Sequence, residues 1–457
     1  MTTEVKPEIF KAYDVRGLYG SEMDGETNYL LGRAFARVLG ELRGKPVGEL
    51  RIGLGRDMRL QAPEMARRLR DGIVAEGATA VDAGMVGTEM LYFLVGSREL
   101  DGGAMVTASH NPKAYTGVKL VREGALALSG DAGIGEIRDL IIGGMPDAAG
   151  GGSTEVVDVY DDFHRHVLSF IDPAKIKPLK VVVDGGNGMA GPMVGPLLER
   201  LGLDLIETCW VPDGNFPGHE PNPLLPENRQ FVIDRVLDEG ADLGIAWDGD
   251  ADRCFFIDDS GLFVDGDFLT ALLARQVLAK DPGGEILYDV RASRAVADII
   301  TEAGGVPRLN RVGHAFFKIA MREHGGLFGG EVSGHYYFRD FWSADSGSIP
   351  ALLVLELLSQ TGKSLSALAG ALRDRYFISG EINSEVSDPR AKMNDLAEQH
   401  PDGAITWLDG VSVDYPDWHF NVRPSNTEPL LRLNLESLVS KADMEAKRDE
   451  VLGFIRS

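Results

Sequence analysis

The sequence predicts an α/β protein in which three related α/β units precede a smaller α+β segment. Each unit reads as a short apolar strand, a polar or Gly-rich loop, a helix and a second strand. The three units occupy residues 50–89, 179–214 and 284–314. Alternating strands and helices joined by tight loops favour parallel sheets, whose ligands bind beyond the carboxyl ends of the strands.

The first unit shows the helical periodicity most clearly. Met65, Leu69 and Ile73 recur every four residues, and Gly77 can end the helix that they predict. The strands on either side are apolar runs at residues 50–59 and 79–89. These features predict a helix that packs its apolar face on a sheet.

Two other patterns extend this organisation. Residues 28–39 resemble residues 267–278, and both stretches predict an opening helix. Near residues 375–380 the helical pattern gives way to alternating strands. Residues 404–415 predict a hairpin, with Asp409-Gly410 at its turn.

A chain of 457 residues is too long for one compact core, since domains usually have about 100–200 residues. A Gly-rich linker at 143–154 and a turn at 258–261 mark expected breaks. Together with the change near residue 380, these breaks predict three or four domains.

The composition excludes several classes of partner. The formal net charge is −24, and a nucleic-acid surface is not expected because phosphate backbones need clustered Lys and Arg. An anionic ligand would need basic residues grouped in a pocket. There are two cysteines, no apolar leader and no apolar run long enough to span a bilayer, so no membrane contact and a cytoplasmic location are expected.

The stretch WDGDADR places three carboxylates directly after a predicted strand. Asp248, Asp250 and Asp252 repel one another unless a cation or strong donors offset their charge, and hard oxygen ligands suit Mg²⁺ or Ca²⁺. An EF-hand is a poor match, because its Gly and Glu positions hold Arg253 and Asp259. A solvated turn, or an enzyme that uses Asp248 as a phosphorylated nucleophile, remains an alternative.

The stretch MVTASHNP places Ser109 between an apolar strand and a turn. Taken alone, Ser109 is a turn cap. A serine hydrolase is not expected, because adjacent side chains of an extended segment face opposite ways and no G-x-S-x-G motif is present. A phosphorylated serine would carry about −1.5 to −2 charges, which a divalent ion and the nearby Lys119 can stabilise. Beside the acidic triplet we favour this second interpretation.

The stretch FGGEVSGHYYF suits a sugar. Glu331, Ser333 and His335 alternate within it, and three hydrogen-bonding groups on one side of a loop can bind vicinal hydroxyls. A simple surface turn is the alternative.

The stretch NVRPSNTEP suits a phosphate. Arg423, Ser425, Asn426 and Thr427 supply a guanidinium, hydroxyls and backbone N–H groups. A common Pro-Ser-Asn turn is the alternative, and the P-loop pattern is absent.

Four residues elsewhere are weaker candidates. Tyr13 and Arg16 lie in KAYDVRG, Arg291 follows a strand in DVRASR, and His314 lies between a strand and a helix. A lone histidine is more often structural than catalytic, so His314 is weak evidence by itself.

Taken in this order, these loops resemble the α-D-phosphohexomutase superfamily, and within it the bacterial phosphomannomutase and phosphomannomutase/phosphoglucomutase group. The resemblance runs from KAYDVRG to RPSNTEP and includes PDGNFPGHEPNPLLPEN. The stretch GEVSGHYYFRDFWSADSG points to the phosphomannomutase group, whereas phosphoglucosamine mutases tend to have Gln where this chain has Val332.

The resemblance implies three related α/β domains with mixed sheets and a C-terminal α+β domain around a central cleft. The implied domains, each named by its loop, are 1–152 (phosphoserine), 153–257 (metal), 258–372 (sugar) and 373–457 (phosphate). A monomer or weak dimer is expected.

The resemblance also implies a role for each candidate residue. Ser109 would be the phosphoserine, and its phosphate would bind one Mg²⁺ per chain with Asp248, Asp250 and Asp252. The transferring phosphoryl group would be surrounded by Arg16, Lys119 and Arg253, with Lys119 or His314 as general base. Sugar and distal phosphate would contact Tyr13, Arg291, Glu331, Ser333, His335, Arg423, Ser425, Asn426 and Thr427. Some relatives have Lys where this chain has Arg291, and Arg is a planar fork rather than a point charge.

The implied reaction interconverts mannose 6-phosphate and mannose 1-phosphate through a hexose 1,6-bisphosphate, which acts as intermediate and activator. A phosphoglucomutase or a dual-specificity enzyme is the nearest alternative. A phosphatase acting through Asp248 and a non-catalytic sugar-phosphate binder are alternatives of other classes.

Overall fold

The computed structural model describes residues 5–128, 133–425 and 430–457. The chain forms two compact units. The first comprises the chain up to Phe263 together with His335–Gly362, and the second comprises Val264–Gly334 and Lys363–Ser457. No helix within the described ranges combines the length and apolar character needed to cross a membrane.

A seven-stranded mixed sheet opens the first unit. Its strands are β1 (Val15–Leu18), β2 (Arg51–Arg56), β3 (Thr79–Met85), β4 (Gly102–Val106), β5 (Tyr115–Arg122), β6 (Leu126–Ala127) and β7 (Ser153–Val156). The helices of this part are α1 (Gly25–Arg43), α2 (Ala62–Ala75), α3 (Thr88–Ser97), α4 (Ile134–Gly143) and α5 (Tyr160–Leu168). Strands β2, β3, β4 and β7 run parallel, whereas β5 is antiparallel to β4 and to β1.

The sequence pattern of the first unit is confirmed. Met65, Leu69 and Ile73 of α2 are fully buried in a core shared with α1. Helix α1 begins at the N-cap Asp24, whose side chain accepts a hydrogen bond from the Thr27 N–H over 2.8 Å. Strand β7 extends the first sheet beyond residue 152, because it pairs with β3 in parallel.

A second mixed sheet completes the α/β layers of the first unit. Its elements are β8 (Lys180–Asp184), α6 (Ala190–Glu199), β9 (Asp204–Thr208), α7 (Pro226–Glu239), β10 (Leu243–Trp247), β11 (Cys254–Asp258) and β12 (Phe263–Val264). Strands β9, β8 and β10 are parallel, and β11 returns antiparallel to β10. Asp184 therefore ends β8 at the same edge of the sheet at which Asp248 follows β10.

The second unit begins with a third group of alternating helices and strands. Its elements are α8 (Gly266–Lys280), β13 (Glu285–Asp289), α9 (Arg294–Glu302), β14 (Val306–Asn310), α10 (His314–His324) and β15 (Phe328–Gly330). Strand β13 is parallel to both β14 and β15. The chain then returns to the first unit with β16 (Tyr336–Phe338), β17 (Ala344–Asp345) and α11 (Ser348–Thr361).

The C-terminal segment is the predicted α+β part. Helix α12 (Leu365–Arg373) precedes it. Its elements are β18 (Phe377–Ile378), β19 (Ile382–Glu385), α13 (Pro389–Gln399), β20 (Ala404–Thr406), β21 (Val411–Asp414), β22 (Trp418–Pro424), β23 (Leu430–Ser437) and α14 (Lys441–Arg456). The sheet is antiparallel throughout. The predicted hairpin is confirmed as β20–β21, and Asp409-Gly410 closes the loop before Val411.

Candidate active site

Ser109 lies in the turn after β4, where its backbone is in the left-handed region with φ of 49°. The Ser109 hydroxyl donates a hydrogen bond to Asp248 Oδ2 over 2.8 Å. The Ser109 N–H donates to Thr107 Oγ1 over 2.8 Å, and the residue is 4% exposed. The turn therefore fixes one buried hydroxyl on the first carboxylate of the acidic triplet.

The structure corrects one step of the sequence argument. Ser109 and His110 were expected to face opposite ways, yet Ser109 Oγ lies 3.2 Å from His110 Nδ1. The expectation was wrong because the left-handed φ of Ser109 breaks the alternation of an extended strand. Burial, with the charges of Arg253 and Arg16, lowers the pKa of His110 well below its usual range. The imidazole is therefore neutral beside the hydroxyl.

A buried arginine holds the Ser109 turn in place. Arg59 is 2% exposed, and its Nη2 donates to the Ser109 carbonyl over 2.8 Å and to the Asn111 carbonyl over 2.6 Å. Its Nη1 donates to the Pro112 carbonyl over 3.0 Å. One guanidinium thus binds three carbonyls of a single turn and fixes its shape.

The acidic triplet is buried and partly paired with Lys119. Asp248, Asp250 and Asp252 are each at most 1% exposed, and their carboxylate oxygens lie within 4.8 Å of one another. Lys119 Nζ lies 2.7 Å from Asp250 Oδ2 and also contacts Asp252 Oδ2. The solvated-turn alternative is wrong, because these carboxylates are withdrawn from water.

The titration directions follow from this crowding. Burial raises the pKa of Asp248, and burial with the Asp250 charge raises the pKa of Asp252 well above its usual range. Burial also opposes ionisation of Asp250, but Lys119 outweighs it and lowers the pKa of Asp250. For Lys119 the carboxylates outweigh burial and raise its pKa. With Lys119 and Arg253 as its cations, the cluster still holds one carboxyl group more than it has cations.

Two carboxylate oxygens make this cluster fit for a divalent cation. Asp250 Oδ1 and Asp252 Oδ1 are buried and have no hydrogen-bond partner. A buried acceptor without a donor is costly, and a hard cation bound by carboxylate oxygens removes that cost. The donor set of three carboxylates suits Mg²⁺.

Two arginines lie beside the Ser109 turn. Arg253 Nε donates to Asp248 Oδ2 over 2.9 Å, and the Arg253 N–H donates to Asp248 Oδ1 over 3.2 Å. Arg16, in β1, pairs with Asp14 and donates to Asn111 Oδ1, one residue beyond His110. Tyr13 is half-buried in the segment before β1.

Backbone glycines enclose the loop that carries the triplet. A Cβ on Gly249 would lie 2.5 Å from the Ser109 carbonyl oxygen, so the main chains of the two loops are in direct contact there. Three other glycines pack about as closely on main-chain carbonyl oxygens of this loop. Added Cβ atoms would lie 2.5 Å from Gly249 O at Gly188, 2.5 Å from Ala251 O at Gly347 and 2.7 Å from Asp250 O at Gly87. The carboxylates are therefore carried on a tightly confined loop.

The sugar-suited loop is a turn. The Gly334 N–H donates to the Glu331 carbonyl over 3.0 Å, and Gly334 has φ of 85°. That Glu331, Ser333 and His335 bind sugar hydroxyls from one side of this loop stays a prediction. In the first unit, His335 lies with Asp252 and Asp345, and their ligand atoms are within 4.8 Å of one another.

In the second unit Glu331 is buried and accepts the Gly313 N–H over 2.8 Å, next to His314 at the start of α10. Arg291 Nη2 lies 3.8 Å from Glu331 Oε2. The Arg291 guanidinium forms a two-pronged pair with Asp289, with N–O distances of 2.9 and 2.7 Å. This pairing uses the planar fork that a lysine would lack.

A cluster of arginines surrounds one carboxylate of the second unit. Glu381 accepts from Arg423 Nη2 over 2.9 Å and from Arg432 Nη1 over 3.0 Å, and Arg291 Nη1 lies 3.9 Å away. Burial opposes ionisation of Glu381, but the three arginines outweigh it and lower its pKa. Arg291 is already paired with Asp289, so the excess positive charge around Glu381 comes from Arg423 and Arg432. The Ser425 N–H is bound to Leu430 O over 2.9 Å, and Asn426 and Thr427 lie outside the described residues.

The structure thus brings the sequence-predicted residues together in two groups. The first unit joins Ser109, Lys119, the three aspartates and Arg253, and the second joins Glu331, Arg291 and, through Glu381, Arg423. Sequence reasoning missed His110, Arg59 and Glu381. Arg59 had one signal, its position beyond the carboxyl end of β2, whereas Glu381 had none.

Comparisons with known proteins agree with this arrangement. Four models of phosphoglucomutase/phosphomannomutase domains match in chain order, namely domain I at residues 7–142, domain II at 161–261, domain III at 265–376 and the C-terminal domain at 381–453.

Curated relatives match over the full length. The chain is 43% identical to phosphohexose mutases of Xanthomonas campestris, over 98% of this chain and 99% of the relative. It is 42% identical to a phosphomannomutase of Vibrio cholerae, over 98% of each chain. A crystal structure of a family protein from Burkholderia thailandensis superposes with a TM-score of 0.89 at 35% identity, covering 98% of this chain and 97% of that one. Full-length identity at this level, four matched domains and a shared fold show that the chain belongs to the phosphoglucomutase/phosphomannomutase family.

Proposed function

We propose that this protein is a phosphomannomutase that interconverts mannose 6-phosphate and mannose 1-phosphate through a phosphorylated Ser109. Membership of the family makes it a phosphoryl-transferring mutase, an enzyme of the isomerase class. The observation that carries the proposal is the 2.8 Å hydrogen bond from the Ser109 hydroxyl to Asp248, inside a buried cluster of carboxylates and cations.

Ser109 is the phosphoryl carrier. In the first half-reaction the bond between phosphorus and Ser109 Oγ breaks and a bond from phosphorus to the free sugar hydroxyl forms. The hydroxyl proton leaves the sugar, and a proton returns to Ser109 Oγ, so that serine and a hexose 1,6-bisphosphate result. In the second half-reaction the other phosphate of the hexose 1,6-bisphosphate returns to Ser109 Oγ. This step regenerates the phosphoserine and leaves the isomeric hexose monophosphate.

Asp248, Asp250 and Asp252, with the phosphate on Ser109, would hold one Mg²⁺. When bound, this ion offsets negative charge on the transferring phosphoryl group. Arg253 and Lys119 add fixed positive charge beside Ser109 Oγ, and preorganised charge of this kind stabilises a phosphoryl-transfer transition state.

Lys119 is the weaker of the two candidates for general base. Its ammonium pairs with Asp250 and Asp252, and these carboxylates raise its pKa. A group held in its protonated form stabilises anionic oxygens but does not accept a proton. Of Lys119 and His314, this argument favours His314.

The second unit supplies the groups for the sugar and the phosphate that does not react. Glu331 offers a buried carboxylate for sugar hydroxyls, and Ser333 is the second hydroxyl-binding group of this turn. Arg291 and Arg423, held around Glu381, supply the cations for the phosphate. The expected Ser425, Asn426 and Thr427 complete this phosphate loop.

This proposal also includes the domain limits, the cytoplasmic location and a monomeric or weakly dimeric state. It includes a preference for mannose phosphates over glucose phosphates. The relatives named phosphomannomutase favour mannose, and those named phosphohexose mutases favour a broader choice. A kcat/KM comparison of mannose 1-phosphate, glucose 1-phosphate and glucosamine 1-phosphate decides this point.

Intact-mass measurement after incubation with a hexose 1,6-bisphosphate tests the central step. The wild type gains one phosphoryl group on Ser109, and Ser109→Ala gains none and loses steady turnover. Ser169→Ala, an exposed serine of the same unit, behaves as wild type. Full mutase activity in Ser109→Ala would refute the proposal.

The two rival classes give different results in the same experiment. A phosphatase acting through Asp248 keeps its activity in Ser109→Ala, and a non-catalytic binder never becomes phosphorylated. Both oxygens of Asp248 already accept hydrogen bonds, from Ser109 and Arg253, which disfavours Asp248 as an attacking nucleophile.

A further inference from the structure

Three side chains of different chemistry meet at the edge of the second sheet, apart from the acidic triplet. Asp184 ends β8, Cys209 follows β9, and His219 lies in the loop before α7. A carboxylate oxygen, the sulfur and a ring nitrogen of these residues lie within 4.8 Å of one another. His219 Nε2 is 2.9 Å from Asp184 Oδ2, and Asp184 is 1% exposed.

The orientation of His219 is that of a metal ligand. Its other nitrogen, Nδ1, lies 2.8 Å from the Glu220 carbonyl oxygen, so Nδ1–H is the donor there. Histidines that bind metals commonly donate their second ring N–H to a carbonyl or carboxylate in this way, which fixes the orientation of the ring. Without a metal Nε2 also carries a proton, because it donates to the Asp184 carboxylate. Nε2 is thereby directed at Asp184 and Cys209.

Backbone contacts hold the three ligands together. The Gly186 N–H donates to Asp184 Oδ1 over 3.1 Å, so that the other oxygen, Oδ2, faces His219. The Asn187 N–H donates to the Cys209 carbonyl over 2.7 Å. A Cβ on Gly218 would lie 2.3 Å from Cys209 Sγ, so the chain beside His219 packs directly on the sulfur. The cluster is built from three segments that are hydrogen-bonded to one another or packed together.

We propose that Asp184, Cys209 and His219 form a second metal site, which binds one thiophilic divalent cation of the zinc type. A thiolate, an imidazole and a carboxylate are the donor types that Zn²⁺ and Co²⁺ prefer, and Mg²⁺ does not take this set. The cation replaces the proton on His219 Nε2 and the thiol proton of Cys209, and both protons go to water. Three protein ligands leave the fourth tetrahedral position to a water molecule.

This site is independent of the proposed mutase reaction, and its role is to stabilise the first unit. The Met189 N–H, five residues after Asp184, donates to the Gly249 carbonyl over 2.9 Å, next to the loop of Asp248. Metal binding therefore stiffens the segment that supports that loop without supplying a group to the transfer step.

Cobalt titration of the full-length protein tests the site, with Mg²⁺ in excess to saturate the acidic triplet. One equivalent of Co²⁺ gives a thiolate-to-cobalt charge-transfer band in wild type and in the control Cys254→Ala, whose thiol is buried in β11. Cys209→Ser loses the band, and His219→Gln weakens Co²⁺ binding by at least about tenfold.

Three results would overturn the proposal: no band in the wild type, a band that persists in Cys209→Ser, or one lost in a folded Cys254→Ala. Circular dichroism establishes that each variant is folded. If Cys209→Ser does not fold, the wild type and His219→Gln still decide, because unchanged Co²⁺ affinity in His219→Gln contradicts the assigned ligand set. Because Ser109 phosphorylation is measured separately, failure here leaves the mutase proposal intact.

Discussion

Ser109 Oγ and Asp248 Oδ2 lie 2.8 Å apart although 139 residues separate them in the chain. The first follows β4 of the first sheet and the second follows β10 of the second sheet. The carboxyl ends of two different sheets thus contribute to one buried site, as expected of ligand sites in parallel α/β layers. The predictions below concern the residues that maintain this meeting point and its counterpart in the second unit.

Replacing Asp248 with asparagine should remove both activity and stability. Asp248→Asn leaves the Arg253 guanidinium, 3% exposed, without its counter-ion. Loss of one partner of a buried pair costs about 3–5 kcal/mol of unfolding free energy. We expect kcat to fall by at least about 10²-fold. Steady-state kinetics and urea denaturation measure the two effects, with exposed Asp238→Asn as control; unchanged stability would contradict the ion pair.

Chelation should switch the enzyme off reversibly. Removing divalent ions leaves the carboxylates of Asp250 and Asp252 with Lys119 as their shared cation. EDTA is therefore expected to abolish turnover and lower the melting temperature of the first unit. Added Mg²⁺ restores both. In Asp248→Asn the melting temperature should no longer respond to Mg²⁺, and a response equal to that of wild type would argue against the triplet as the binding site.

Arg59→Lys should lower kcat with little change in KM. A lysine keeps the charge beside Asp57 but cannot bind the Ser109, Asn111 and Pro112 carbonyls at once, so the Ser109 turn shifts. A misplacement of about 1 Å can cost about 10²-fold in rate. Arg56→Lys, on the preceding strand, is the matched control. The same kcat loss in both variants would mean that the effect is not specific to the turn.

Glu381→Ala should raise KM for the sugar phosphate more than it changes kcat. Glu381 orients Arg423 and Arg432 through hydrogen bonds of 2.9 and 3.0 Å, and its loss leaves these arginines to repel one another. We expect KM to rise by about tenfold, equivalent to about 1.4 kcal/mol of binding. Glu385→Ala, four residues on and exposed, should leave KM unchanged. A kcat loss at unchanged KM would place Glu381 in the transfer step instead.

The stability of the first unit should depend on pH through Glu89. Burial raises the pKa of Glu89 from 4.5 to about 7, although hydrogen bonds from Ser346 and Ser348 oppose the shift. The folded state therefore binds the carboxyl proton of Glu89 more tightly than the unfolded state does. The contribution of this proton to the free energy of unfolding is complete below pH 4.5 and is lost as the pH rises to about 7. Glu89→Gln lacks this loss.

Urea denaturation from pH 4 to 9 measures this effect. The measured quantity is the free energy of unfolding of Glu89→Gln minus that of the wild type. Between pH 4 and a pH above 7 this difference should rise in favour of the variant by up to about 3 kcal/mol. A difference between the two proteins that does not vary with pH would mean that Glu89 titrates normally. Glu99→Gln, in the loop after α3, is the control.

The sequence predicted those features that depend on local pattern or on residue type. The α2 periodicity, the β20–β21 hairpin and the order of strands and helices follow from apolar spacing and turn residues. The acidic triplet was recognisable because three carboxylates at that spacing need compensation wherever they are placed.

What the sequence did not predict depends on backbone angles and distant partners. The contact between Ser109 and His110 needs a positive φ at a non-glycine residue, which the pattern of an extended strand does not reveal. The Gly-rich loop at Glu331–Gly334 was recognisable, but the sequence alone did not choose between a sugar-binding loop and a simple surface turn. Arg59 and Glu381 gain their importance only from carbonyls and guanidiniums supplied by distant segments.

The glycine contacts around Gly249 have a consequence for ion selectivity. A loop that meets other main chain on several sides has little room to widen, so we expect its carboxylate oxygens to keep nearly the same spacing whichever cation binds. Calcium prefers longer bonds of about 2.3–2.6 Å and more ligands, whereas magnesium accepts about 2.0–2.1 Å and six. We therefore expect the confined loop of the three aspartates to select its cation by ionic radius. Calcium ions should bind with poor geometry and inhibit the enzyme, and they should not replace magnesium.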